Sequence, residues 1–441
     1  MRTSSRWVLI LVVLLAMALG SCANARNNLG NGNVWVATQG DQKLTSFSIN
    51  LTTGALSSVG NPVATGATPA GMVMTPDQKT IFLANSGDNS ITAYSINSDG
   101  SLKAVSGSTS TLIQGPSGCA SNCTLGQMPA ALAIDPGGKF LFVADQGQPS
   151  NPMIPGGVSV FSISGTSLSP AGPGCPSGFT QTACPILLTD PTTGFSTGPS
   201  GIAISPVSFS CGSTGSETCN ALYVANQFSN TVSGFQYFVD SSGAFHVLPT
   251  GGSPYTAGTN PTGLAFSRCA GVSSANAHCT TNDGNNLFVT NSGSGNLMIF
   301  TACIQAVGSC AVADGSLLAS PGTATTGIGP IAVVANPLIN FVYTVDRGSN
   351  QVSQFSYSPI TAVLSALSPA AVSTAQNPMS AGITGNGRIL IVSNNATSNM
   401  SVYTITQPPS SGGSSTATGK LVPAGQPTVS LSGQPSAVLV R

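Results

Sequence analysis

A unit of about 50 to 70 residues recurs seven times along this chain, and that repetition limits the fold more than any other feature. Each unit opens with a proline and a short apolar run, as in Pro69-Ala-Gly-Met-Val-Met and Pro129-Ala-Ala-Leu-Ala-Ile, with further openings at Pro199, Pro261, Pro330, Pro378 and Pro435. A second apolar run follows and ends at Asn85, Asp145, Asn226, Asn291, Asp346 or Asn394, with Thr38 as the exception. The third run carries one aromatic residue, namely Phe47, Tyr94, Phe161, Phe235, Phe300, Phe355 or Tyr403. A fourth run is marked by Leu56, Leu102, Leu168, Phe245, Leu317, Leu364 or Leu421. Four short strands per unit make a sheet that cannot bury both faces alone, so neighbouring units must cover it. The expected fold is all-β: a seven-bladed β-propeller of four-stranded antiparallel blades, with the aromatics packed between blades.

The termini fit a closed ring. The chain starts its repeats at a second strand, residues 34–38, and ends on a first strand, residues 437–440. The C-terminal strand is therefore expected to join the N-terminal blade and leave no open sheet edge. The expected organisation is a signal segment over 1–21, a tether over 22–33 and a single propeller over 34–441.

Composition separates this reading from disorder. Fifty-two glycines could indicate an unfolded chain, yet hydrophobic residues make up 41% of the sequence and fall in β-rich runs. Charged residues are only 5%, with 12 basic and 12 acidic, so the chain lacks the basic footprint that nucleic acid requires. No nucleic-acid partner is expected, and no cofactor or metal motif is present.

The N-terminus reads as an export signal: Arg2 and Arg6 precede an apolar core over 7–19, too short for an ordinary membrane span. Leu19-Gly20-Ser21-Cys22 resembles a bacterial lipobox, which implies lipidation at Cys22 and a membrane anchor at the cell envelope. A plain secretory signal is the competing reading. The other ten cysteines fall in close pairs: Cys119 with Cys123, Cys175 with Cys184, Cys211 with Cys219, Cys269 with Cys279, and Cys303 with Cys310. Local disulfides in an oxidising compartment suit that spacing better than metal binding, because the pairs lie in different repeats.

The unit running from Pro129 to Ile163 resembles the lactonase-type seven-bladed propellers, which include 6-phosphogluconolactonase-like and carboxymuconate-cycloisomerase-like proteins. The stretch LFVTNSGSGNLMIF is similar to the YVTN-type surface-protein repeat. The resemblance implies a ligand face formed by the loops from second to third strands and from fourth strands to the next first strands. Asp41, Asp88, Asp145, Asp190, Asp346 and Arg347 are expected there, whereas Glu217, His246 and His278 fall elsewhere. The histidine, arginine and glutamate set of the cycloisomerase-like members has no matching positions.

Lactone hydrolysis needs an activated water and a stabilised oxyanion. Asp145 or Asp346 is the candidate base and Arg347 the candidate electrophile, with Asn85, Asn226, Asn291 and Asn394 as hydrogen-bond donors on the ligand face. The competing reading assigns the recurring Asn and Asp to turn formation. A phosphorylated substrate is disfavoured, since only Arg347 and Lys43 offer cations on that face. Residue chemistry places an exported, lipid-anchored, monomeric binding propeller first, taking a small molecule, glycan, peptide or protein at its face. A lactone hydrolase is the alternative.

Overall fold

The computed structural model describes residues 31–105, 110–111, 127–148, 156–173, 183–189, 196–211, 217–267, 285–306, 309–318, 322–407 and 418–441. All secondary structure among them is β, arranged as seven antiparallel sheets of four to six strands around one axis. Blade 2 shows the basic order from axis to rim: Pro69–Met74, Thr80–Asn85, Ser90–Ile96 and Leu102–Ala104. Blade 1 is made from both chain ends. Its innermost strand, Gln434–Val440, pairs antiparallel with Asn31–Gln39, matching Val34 with Val440 and Trp35 with Leu439. The expected closure is therefore present, and its strand starts at Asn31, within the segment read as tether, because Lys43–Asn50 supplies ladder partners that far.

The second strands explain why each blade is apolar on both faces. Successive side chains of a strand point to opposite faces. In Thr80–Asn85, Ile81 and Leu83 join a cluster with Trp35 and Leu44 of blade 1, while Phe82 and Ala84 join one with Leu141 and Phe161 of blade 3. The same division continues around the ring, giving seven buried clusters, one at each blade junction. The third-strand aromatics sit in these junctions: Tyr94 is fully buried and Phe355 nearly so. Burying such a side chain contributes ~1.5–3 kcal/mol, so the ring is held by its interfaces more than by any single sheet.

Adjacent inner strands approach closely where their third residue is glycine. A Cβ on Gly201 would lie 2.3 Å from the carbonyl oxygen of Thr262 in the next blade, and one on Gly71 would lie 3.1 Å from that of Ala130. In blade 5 the fourth run departs from the simple repeat. Leu317 makes an isolated bridge with Ala302, and the outer strand proper is Gly322–Thr325. The Cys303–Cys310 disulfide lies between Ala302 and Leu317 in the chain. A second disulfide joins Cys211 to Cys219 across a small hairpin that packs in one cluster with Ala302, Ile304 and Leu317, and Cys184 is also disulfide-bonded. Cys22, Cys119, Cys123, Cys175, Cys269 and Cys279 lie outside the described residues.

Candidate functional site

The recurring Asn and Asp residues are internal struts. Asn85, Asp145, Asn226, Asn291, Asp346 and Asn394 are all fully buried at the ends of their second strands. Each must find hydrogen-bond partners within the protein. Asn85 Nδ2 donates to Ser90 and Thr92 at 3.1 and 3.0 Å, and its Oδ1 accepts from the Gly66 amide at 3.1 Å. Asn226 donates to Thr231 and Ser233, Asn291 donates to Asn296 and accepts from the Gly258 amide, and Asn394 donates to Asn399 and Ser401. These bonds tie the second strand to the third strand of the same blade. In blades 2, 4 and 5 the asparagines also reach the loop that leads into the inner strand, Asn226 Oδ1 accepting from the Thr197 hydroxyl at 3.1 Å. The expected ligand-facing role of the four asparagines is not what this placement provides, and the turn reading also needs amendment, since the partners lie across the blade.

Asp346 occupies the same position in blade 6. Its carboxylate accepts from Ser353 at 2.5 Å, Thr344 at 2.8 Å, the Gly327 amide at 3.0 Å and Gln351 at 3.4 Å. Burial still raises its pKa, the four donors opposing that shift. Asp145 in blade 3 has fewer partners. Its Oδ2 accepts from the Ser159 hydroxyl at 2.6 Å and amide at 3.2 Å, and its Oδ1 has none. Desolvation pushes its pKa up to about 8, so the group is largely neutral at pH 7.

The side chains that do face the axis come one residue later. Alternation along the strand turns Gln39, Ser86, Gln146 and Arg347 toward a cavity of about 610 Å³ at the centre of the ring. Its wall is formed by the inner strands, with Met72, Leu132, Ile202, Leu264, Ile331 and Met379 among the lining residues. Among the described residues Arg347 is the one charged residue in that lining, and neither Asp145 nor Asp346 belongs to it. The Arg347 Nε donates to Asn377 Oδ1 at 2.6 Å, which anchors one edge of the guanidinium and leaves its terminal nitrogens to the mouth. Ser292 and Asn260 line a smaller recess beside it.

The three proposed catalytic residues therefore do not converge. Asp145 and Asp346 sit inside blades 3 and 6, and Arg347 alone reaches the channel. Asp41 accepts from Thr38 and Ser432, and Asp88 accepts from Ser90 and the Ala67 amide, so both serve the loops that hold them. Asp190 and His278 lie outside the described residues. His246 bonds Asp240 at 2.7 Å near the blade 4 rim. Among the described residues no group of three metal-ligating side chains is gathered. Sequence reasoning missed Gln39, Ser86 and Gln146; the signal available was their place immediately after each second-strand terminus.

Seven blades around a channel with a small-molecule-sized mouth define a seven-bladed β-propeller. The chain belongs to the lactonase family of such propellers, whose family model matches residues 30–150 and 312–431, more than half of its length. No curated protein sequence matches the chain. Among solved structures it is similar to a candidate 6-phosphogluconolactonase from Bacteroides uniformis, at 15% identity over 93% of this chain and 100% of that one, with a TM-score of 0.60. It is also similar to the periplasmic gluconolactonase of Pseudomonas aeruginosa, at 19% identity over 93% and 99% of the two chains, with a TM-score of 0.58. A protein from Lactobacillus plantarum matches at 15% identity, 93% and 99% coverage and a TM-score of 0.60. At these identities the likeness is one of fold.

Proposed function

We propose that this chain is an exported lactone hydrolase working at the channel mouth on an unphosphorylated lactone. Family membership supports the reaction class, and the observation that carries the site is Arg347, the one charged group in the cavity lining among the described residues. Hydroxide adds to the lactone carbonyl, the guanidinium holds the developing oxyanion, and the ring C–O bond then breaks, the leaving alkoxide taking its proton from solvent water and the product remaining a carboxylate. One well-placed oxyanion donor is worth ~10²–10³ in rate. A single arginine is too little for a phosphorylated sugar, which calls for several cationic donors.

Among the described residues the lining contains no carboxylate or imidazole, so hydroxide from solvent is the nucleophile this geometry favours, and the rate should climb with pH in proportion to hydroxide. A pH-stat assay over a panel of neutral lactones tests this; wild-type turnover no faster than buffer would end it. The same lack of a base favours a second reading, in which the mouth retains a carbonyl-bearing or anionic ligand, glycan or peptide without turnover. Binding without hydrolysis in that assay would identify it. Export, with anchoring through Cys22, is supported by the signal-like N-terminus and by the local disulfides, which persist in oxidising compartments.

A further inference from the structure

Tyr94, Tyr223, Tyr343 and Tyr403 each donate their hydroxyl to a backbone carbonyl, at Ala64, Gly315, Gly419 and Ser373. Tyr237 does not. It is 4% exposed, its ring packs against Phe142 and Phe245, and its hydroxyl has no partner among the described residues. A buried polar group in that state calls for a partner the chain does not supply. Burial holds its pKa well above the ordinary value, and the nearby Asp135 charge adds to that rise. Both residues line a groove of about 470 Å³ between blades 3 and 4. Phe140, also in its wall, opens the second strand of blade 3, and Gln146 follows the last residue of that strand, so the groove and the channel mouth lie at its two ends.

Among the described residues the groove wall holds one carboxylate, Asp135, and one cation, Lys139. Asp135 Oδ1 accepts from the Phe140 amide at 2.5 Å and Oδ2 from the Gly137 amide at 3.0 Å. A carboxylate has about four acceptor sites, so each oxygen keeps one for a ligand. Lys139 is exposed, and Ser208 and Thr218 add hydroxyls that donate or accept. An anion would meet Asp135, and a cation would meet Lys139. A neutral ligand with vicinal hydroxyls satisfies both, since a hydroxyl donates to a carboxylate and accepts from an ammonium. The volume lies within the ~300–1,000 Å³ of small-molecule sites. We infer that the groove between blades 3 and 4 is a saccharide site, where one pyranose hydroxyl donates to Asp135, its neighbour accepts from Lys139, and a sugar oxygen accepts from the Tyr237 hydroxyl. This inference is independent of the hydrolase reading.

Titrations of the full chain with methyl glycosides of glucose, galactose and N-acetylglucosamine, read by saturation-transfer NMR and calorimetry, test this, with glycine and acetate as charged controls. At least one glycoside should bind saturably and more tightly than either control. Tyr237→Phe should weaken that binding by about three- to tenfold, the worth of one hydrogen bond. It should not lower the ligand-free melting temperature, because the ring contacts with Phe142 and Phe245 stay. Lys139→Met should weaken binding by a similar factor, and Arg347→Ala should leave it unchanged. No binding of any glycoside, tighter binding of glycine or acetate, or full affinity in Tyr237→Phe would overturn the inference. Loss of binding in Arg347→Ala would do the same by placing the sugar in the channel. Lactone turnover by Tyr237→Phe should match wild type, which keeps the two sites apart.

Discussion

Asp346 and Arg347 are chain neighbours in opposite environments: the carboxylate is fully buried under four donors, and the guanidinium, tethered by Nε to Asn377 at 2.6 Å, faces the channel. Strand alternation makes this division. It decides that the cation alone is available to a ligand.

Arg347→Ala should lower lactone turnover by ~10²–10³ with little change in thermal midpoint, because the side chain is exposed. Arg347→Lys keeps the charge and loses the planar fork, so partial activity is expected. Asn377→Ala should reduce kcat more than it raises KM by releasing the guanidinium edge. Steady-state kinetics on the three variants check this, and a fully active Arg347→Ala would remove the site.

Asp145 should make stability fall as pH rises. Its folded pKa of about 8 stands above the ordinary 3.8, so the native state holds the extra proton across that window, and stability present in acid is lost toward alkaline pH. Asp145→Asn imitates blades 2, 4, 5 and 7 and should raise the melting temperature increasingly as pH increases. Calorimetry in acidic and mildly alkaline buffers tests the sign; a pH-independent difference would show that the buried carboxyl does not titrate there.

Removing residues 434–441 takes away the inner strand of blade 1 and uncovers Trp35, Val36 and Ala37. Each large apolar side chain exposed costs ~1.5–3 kcal/mol, and the ring also gains an open edge. Loss of the cooperative melting transition is expected by circular dichroism. An unchanged curve would contradict the closure.

Gly201→Ala places a methyl 2.3 Å from the Thr262 carbonyl oxygen and should destabilise the fold by ~1–3 kcal/mol in urea. Gly425→Ala, with nothing within 4 Å of its Cβ, is the control and should stay within ~0.5 kcal/mol of wild type.

Lipid anchoring makes its own prediction. Cys22→Ser should move the exported protein from the membrane fraction to the soluble one, and mass spectrometry of the wild-type N-terminal peptide should show acyl mass on Cys22. A soluble wild-type protein would leave the plain secretory signal.

Most of the architecture was legible from the repeat. Residues such as Phe82 and Phe161 recur at positions where only a neighbouring blade can cover them, and the two ends of the chain supply complementary strands. The candidate site was legible only in part. Asn85 and its counterparts stood out because they recur, but recurrence at every blade marks a structural requirement as readily as a binding ring. Their burial removes them from the mouth, and the residues beside the channel differ from blade to blade, as Gln39, Ser86 and Arg347 show.

The sequence by itself determined the blade number, the four-strand unit, the ring closure and the junction aromatics, because apolar periodicity and turn spacing leave few ways to bury such runs. Which side of each second-strand terminus faces the axis was decided only in three dimensions. A one-residue step along a strand reverses the direction of a side chain, so Asp346 became a buried strut and Arg347 the channel's cation. Only the tertiary structure also shows that the Ser200 and Thr262 hydroxyls bond neighbouring backbone, since their partners lie in the next blade, more than 60 residues away.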